Sequence, residues 1–194
     1  KAADVVVVAV GTDPNTASEG KDRASLALPG NYNSLIDQVA ALGNPNVVLD
    51  IQAVGAVDIS ARQSKAASIL FSAYNGQSQG TALADVLFGK QNPQGHLTFT
   101  WYKDDSQLAG KNDYGLTPDQ TDGKGQTYQY FTGTPSYPFG YGMSYTSFSY
   151  SAATVDKSGI TADGTVNVSV DVTNTGTLPG ATVAQLYAAN SFTV

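Results

Sequence analysis

The run Val5-Val6-Val7-Val8-Ala9-Val10 constrains this chain more than any other feature. A continuous apolar stretch of this length is the mark of a β-strand covered on both faces, as in parallel sheets packed between helices. The turn-forming Gly11-Thr12-Asp13-Pro14-Asn15 follows it at once. Helical and strand patterns then alternate. Asn31–Leu42 reads as a helix with Leu35, Ile36, Val39 and Ala40 on one stripe, ended by Gly43 and Pro45. Val47–Val54 and Ile69–Ala73 read as strands, Gly80–Phe88 as a second helix with Leu83, Val86 and Leu87 inward, and Leu97–Trp101 as a short fourth strand. Strands separated by helices predict an α/β fold with a mostly parallel sheet sandwiched by helices.

Residues 103–143 break this pattern. They are rich in Gly, Asp, Gln, Thr and Tyr without sustained period, and long irregular segments are usually functional or wrap a neighbour. Tyr128, Tyr130, Phe131, Tyr137, Phe139, Tyr141 and Tyr145 argue against disorder. These rings could stack on a ligand, but packing is the commoner role of such anchors. From Ser144 the period becomes two: Val166, Val168, Val170 and Val172 alternate with polar residues, Asn174-Thr175-Gly176 is a turn, and Val183–Ala188 is a further strand. The reading is an α/β domain over residues 1–143 and the opening of an all-β sandwich over 144–194. A complete immunoglobulin-like or fibronectin-like sandwich needs about 100 residues, so the second domain is cut short. Lys1-Ala2-Ala3-Asp4 leads straight into a strand with no signal peptide, so the chain is expected to be a piece of a longer protein.

Composition narrows the function. The 194 residues are 41% hydrophobic and only 13% charged, which predicts a packed chain. A net charge of −6 argues against a nucleic-acid partner. The absence of cysteine excludes disulfides, thiolate metal sites and cysteine nucleophiles. No run of about 18 apolar residues suggests a membrane span. His96, the sole histidine, builds neither a metal site nor a triad and reads as structural. No nucleotide-binding glycine loop and no Gly-x-Ser-x-Gly elbow occurs, and no cofactor or metal is implied.

The remaining candidate is Glu19-Gly20-Lys21-Asp22-Arg23. Open α/β sheets place their chemistry on loops beyond the C-terminal ends of strands, and Glu19 is the only glutamate of this loop. Arg23 could brace the loop by bidentate pairing with a carboxylate, Asp22 could support it, and a direct substrate contact is the lesser reading for both. Asp13 reads as a turn residue.

Taken in order, Val10-Gly11-Thr12-Asp13, Glu19-Gly20-Lys21-Asp22-Arg23, Leu26-Ala27-Leu28-Pro29-Gly30-Asn31, Tyr74-Asn75-Gly76-Gln77, Ala82–Gly89, Asn92-Pro93-Gln94-Gly95 and Tyr137–Thr146 resemble the C-terminal part of family 3 glycoside hydrolases, the β-glucosidases and β-xylosidases. The segment from Gly125-Gln126-Thr127-Tyr128 to Phe131-Thr132-Gly133 is most similar to the xylosidase branch. The resemblance implies an N-terminal (β/α)8 barrel carrying a nucleophilic Asp, the α/β sandwich domain with the acid/base Glu on a loop, and a fibronectin III-like domain. It implies a retaining, exo-acting β-glycosidase acting on β-glucosides or β-xylosides outside the cell or in the periplasm. Glu19 matches the acid/base position, and the nucleophile falls outside this chain. The partners implied are a glycoside or oligosaccharide and the barrel of the same protein. The rival readings are a non-catalytic carbohydrate-binding module and a structural spacer.

Overall fold

A computed structural model describes residues 3–188. Lys1, Ala2 and the part of the expected second domain beyond Ala188 lie outside the described residues. The chain divides into two compact units. One runs to Gln79 and resumes over Leu97–Tyr141; the other joins Gly80–His96 to the stretch that begins at Gly142.

The first unit is built on three strands, β1 (Val6–Gly11), β2 (Val47–Gln52) and β3 (Ser68–Ser72), in the order β1-β2-β3. All are parallel, with Val8 opposite Leu49 and Leu49 opposite Ile69. Helix α1 (Tyr32–Ala41) connects β1 to β2, as the periodicity of Asn31–Leu42 predicts. The period of two sorts each strand between faces. Val6, Val8 and Val10 line up with Val47, Leu49 and Ile51 and then with Ile69 and Phe71. This face packs with Ile36 and Val39 of α1 to form the core. Ile36, 2% exposed, is the residue of the α1 stripe that is fully buried. The opposite face is less covered: Val7 is 44% exposed, so β1 departs from the expectation of a strand enclosed on both sides.

Leu97–Trp101 does not form the expected fourth strand. Trp101 makes an isolated antiparallel bridge to Tyr137, and Leu97 bonds to Gly140 and Tyr141 further along. Pro138 interrupts the facing segment; it lacks an N–H and cannot continue a ladder. Trp101 is nonetheless the centre of an aromatic cluster, with Phe71, Tyr137 and Phe99 at centroid distances of 4.9, 5.7 and 5.9 Å. Rings of the irregular segment also pair within this unit: Phe131 with Tyr102 just before the segment, and Tyr128 with Phe139, at 4.9 and 4.6 Å.

Among the described residues the second unit contains most of helix α2 (Gln79–Leu87) and four short strands. Leu83, Val86 and Leu87 of α2 are half-buried, and Phe88 beyond it is 81% exposed. The expected single strand through Val166–Val172 is instead two, β6 (Val168–Ser169) and β7 (Val172–Asn174). They pair antiparallel with different partners, β6 with β5 (Thr154–Val155) and β7 with β4 (Phe148–Tyr150). The four valines stay exposed. Val183–Ala188 pairs with no strand among the described residues. Asn92 organises this unit: its Oδ1 accepts from Ser144 Oγ and the Tyr145 amide, and its Nδ2 donates to the Pro179 carbonyl.

Candidate functional site

Parallel strands bring their C-terminal ends to one edge, and the loops after β1, β2 and β3 meet there. Gly11 closes β1 against β2 so tightly that a Cβ would lie 1.8 Å from the Gln52 carbonyl oxygen. Thr12 continues the contact, its amide donating to that carbonyl at 2.9 Å. Asp13 then starts a turn as its sequence predicts: its Oδ1 accepts from the Thr16 amide and hydroxyl, each at 2.9 Å. The Thr16 hydroxyl bond leads the interactions that hold the Asp13 carboxyl below the usual range.

Glu19 follows at the tip of a tight hairpin. Ser18 and Lys21 form a bridge, with amide-to-carbonyl bonds of 3.2 and 2.9 Å, and Glu19-Gly20 makes the turn. Gly20 has φ of +72°, the signature of the third position of a type II turn. Glu19 is the only glutamate in the chain. It is exposed, and among the described residues its side chain has no hydrogen-bond or ion-pair partner.

The hairpin is pinned on both sides. Before it, Ala17 is buried, and its carbonyl accepts from the Tyr74 hydroxyl at 3.0 Å. After it, Arg23 Nη2 donates to the Ala56 carbonyl at 2.7 Å. Arg23 therefore holds a carbonyl rather than the expected carboxylate fork. Asp105, whose charge favours the Arg23 cation, has its Oδ1 on the Leu26 amide at 2.7 Å instead. Burial pulls the guanidinium below its ordinary range, against the pull of Tyr74 and Asp105. Asp22 projects outward to Lys111 at 3.7 Å, a pair three-quarters exposed and worth little.

A cleft of about 470 Å³ opens at the same edge, lined by Thr12, Asp13, Thr16, Asn31, Tyr32 and Gln52 among others. Gln52 is held in place: its Nε2 donates to Asp50 Oδ2 at 2.7 Å, and its Oε1 accepts from Gln79 at 3.1 Å. His96 lies elsewhere, in the second unit, with Nδ1 3.1 Å from the Gln94 carbonyl. Among the described residues no three or more His, Cys, Asp or Glu side chains gather as a metal site, and no helix is long and apolar enough to cross a membrane.

The structure thus puts Glu19, the candidate of the sequence, at the exposed tip of a hairpin held on both sides. Sequence reasoning misses Tyr74 and Ala56, which act through a hydroxyl and a main-chain carbonyl far away in sequence. Comparison with known proteins gives this geometry its context. Residues 1–145 match the Glycosyl hydrolase family 3 C-terminal domain. A beta-xylosidase of Formosa agariphila is 39% identical over 193 residues, 99% of this chain and 26% of that protein. An exo-1,4-beta-xylosidase of Emericella nidulans is 39% identical over 160 residues, 80% of this chain and 20% of that protein. The crystal structure of a family 3 beta-glucosidase from Bifidobacterium adolescentis superposes with a TM-score of 0.74 at 31% identity, covering 90% of this chain and 26% of that one. The chain spans only about a fifth to a quarter of the length of these relatives. With the matched residues covering most of the chain, it belongs to glycosyl hydrolase family 3, in the part that forms the family's C-terminal domain.

Proposed function

We propose that this chain supplies the acid/base of a retaining, exo-acting β-glycosidase, and that Glu19 is that residue. The observation that carries the reading is the placement of the chain's only glutamate at an exposed hairpin tip, braced on both sides, beyond the C-terminal end of β1. The names of the relatives support β-xylosides as substrates, with β-glucosides next.

Retaining hydrolysis uses two carboxyl groups about 5–5.5 Å apart. In the first step a carboxylate forms a bond to the anomeric carbon, the bond from that carbon to the leaving oxygen breaks, and Glu19 gives the leaving oxygen its proton. In the second, Glu19 takes a proton from water, the water oxygen bonds to the same carbon, and the ester to the nucleophile breaks. The nucleophile is an Asp on a (β/α)8 barrel of the same polypeptide, so the chain alone hydrolyses nothing. Asp22 and Arg23 support the loop. The antiparallel pairs β4–β7 and β5–β6 favour a fibronectin III-like sandwich beginning near residue 144. The protein works outside the cell or in the periplasm, where its polymeric substrate is found.

The test is Glu19→Ala in the whole polypeptide that contains this chain. Turnover of an aryl β-xyloside is expected to fall roughly 10²–10⁴-fold. Azide, an anion that needs no deprotonation, should restore turnover and yield the β-configured glycosyl azide. Unchanged hydrolysis in Glu19→Ala overturns the assignment and favours a non-catalytic binding or spacer role.

A further inference from the structure

We infer that Tyr74 is a positioning residue for the Glu19 hairpin, and that its hydroxyl rather than its ring does the positioning. The inference rests on the reading of Glu19 as acid/base. Tyr74 stands two residues beyond β3 and is 41% exposed. Its hydroxyl lies 2.9 Å from Thr12 Oγ1 and donates to the Ala17 carbonyl at 3.0 Å. Those two residues bracket the Asp13–Thr16 turn, so one hydroxyl spans the segment that leads from β1 to the hairpin. Thr12 Oγ1 also faces the Val54 amide at 3.3 Å, in the loop after β2. The loops following all three strands are therefore joined at Thr12 Oγ1, and the Tyr74 hydroxyl carries that junction to Ala17, two residues before Glu19.

The opposite strand of the hairpin is fixed independently by Arg23 on Ala56. Without the Tyr74 hydroxyl the hairpin keeps that attachment and its own Ser18–Lys21 bridge, but it can pivot about them. A pivot displaces the tip without unfolding the base. Catalysis is sensitive to such motion, because a misplacement of about 1 Å can cost on the order of 10²-fold.

Proton donation matters only when the leaving group needs it, and this separates positioning from mere support. In the whole polypeptide, Tyr74→Phe should lower kcat/KM for phenyl β-xyloside roughly 10–100-fold. For 2,4-dinitrophenyl β-xyloside, whose phenolate departs unprotonated, the change should stay below about 2-fold. Thr12→Val should show the same leaving-group dependence, and Thr12→Ser, which keeps the hydroxyl, should behave as the parent. Glu19→Ala is run beside them. If Glu19→Ala shows the dependence and Tyr74→Phe matches the parent, or loses both substrates evenly, the role of Tyr74 is overturned while that of Glu19 stands. If Glu19→Ala shows no dependence, the acid/base reading fails and takes the inference with it. Circular dichroism and melting of Tyr74→Phe should match the parent; a collapse of either makes Tyr74 a structural residue and also overturns the inference.

Discussion

The indole Nε1 of Trp101 donates to the main-chain carbonyl of Val57 at 2.8 Å, with both residues essentially inaccessible to solvent. The bond ties the aromatic cluster to the loop after β2, whose Ala56 carbonyl receives Arg23. Trp101→Phe should leave the Val57 oxygen buried without a donor and open a small cavity. A loss of about 2–4 kcal/mol is expected, read from the urea midpoint of the whole protein.

Asp50 sits in the middle of β2, 1% exposed, between Ala9 and Leu70 on the less covered face of the sheet. Burial raises its pKa above the ordinary 3.8, and the bond from Gln52 pulls the other way. A carboxyl raised on folding contributes its stability below its unfolded value and loses it as pH climbs through the folded one. Asp50→Asn, which can still accept from Gln52, should therefore be more stable than the parent at pH 7. The two should converge as pH falls toward 3.8. Denaturation midpoints measured across that range check it.

Asp37 carries the opposite sign. Lys65 and Arg62 reach its two oxygens at 2.6 and 2.8 Å, and these bonds lower its pKa below 3.8. Its stabilisation is present above 3.8 and is lost as pH drops through the lowered folded value. Asp37→Asn should weaken the fold at pH 7 and leave it unchanged in strong acid. Half-molar salt should shrink the difference, since the cluster is partly exposed.

Two glycines should respond very differently to the same change. Gly11→Ala drives a methyl into the Gln52 carbonyl and forces β1 and β2 apart, at a cost of about 3 kcal/mol or more. Gly20→Ala meets nothing within 4 Å and should cost about 1–2 kcal/mol for its positive φ alone. Parallel thermal melts distinguish them.

The legible part of this fold is local. The Val5–Val10 run and the 3.6-residue stripe of Asn31–Leu42 announce β1 and α1 because each element needs only its own residues to be recognised. Leu97–Trp101 misleads because its apolar character belongs to the aromatic core, while Pro138 in the facing segment denies it a ladder. Val166–Val172 alternates as one strand, yet its halves face different partners, a choice made by the upstream strands β4 and β5 and not by its own residues. Glu19 stands out by residue type and by its place after a buried strand. Its attachments do not, because a carbonyl acceptor such as Ala17 or Ala56 leaves no mark on residue identity.

The hairpin that carries Glu19 has a two-residue tip on a single bridge, and this turns its length into a ruler. A residue added to or removed from both arms together would shift the carboxylate by about 3.3 Å and reverse the side to which it points, and one added to a single arm would bulge it. Useful placement of a reacting group tolerates about 0.5 Å. Substitution within Ser18–Lys21 is thus far less hazardous than insertion, and drift in this loop is governed by its count of residues more than by their names.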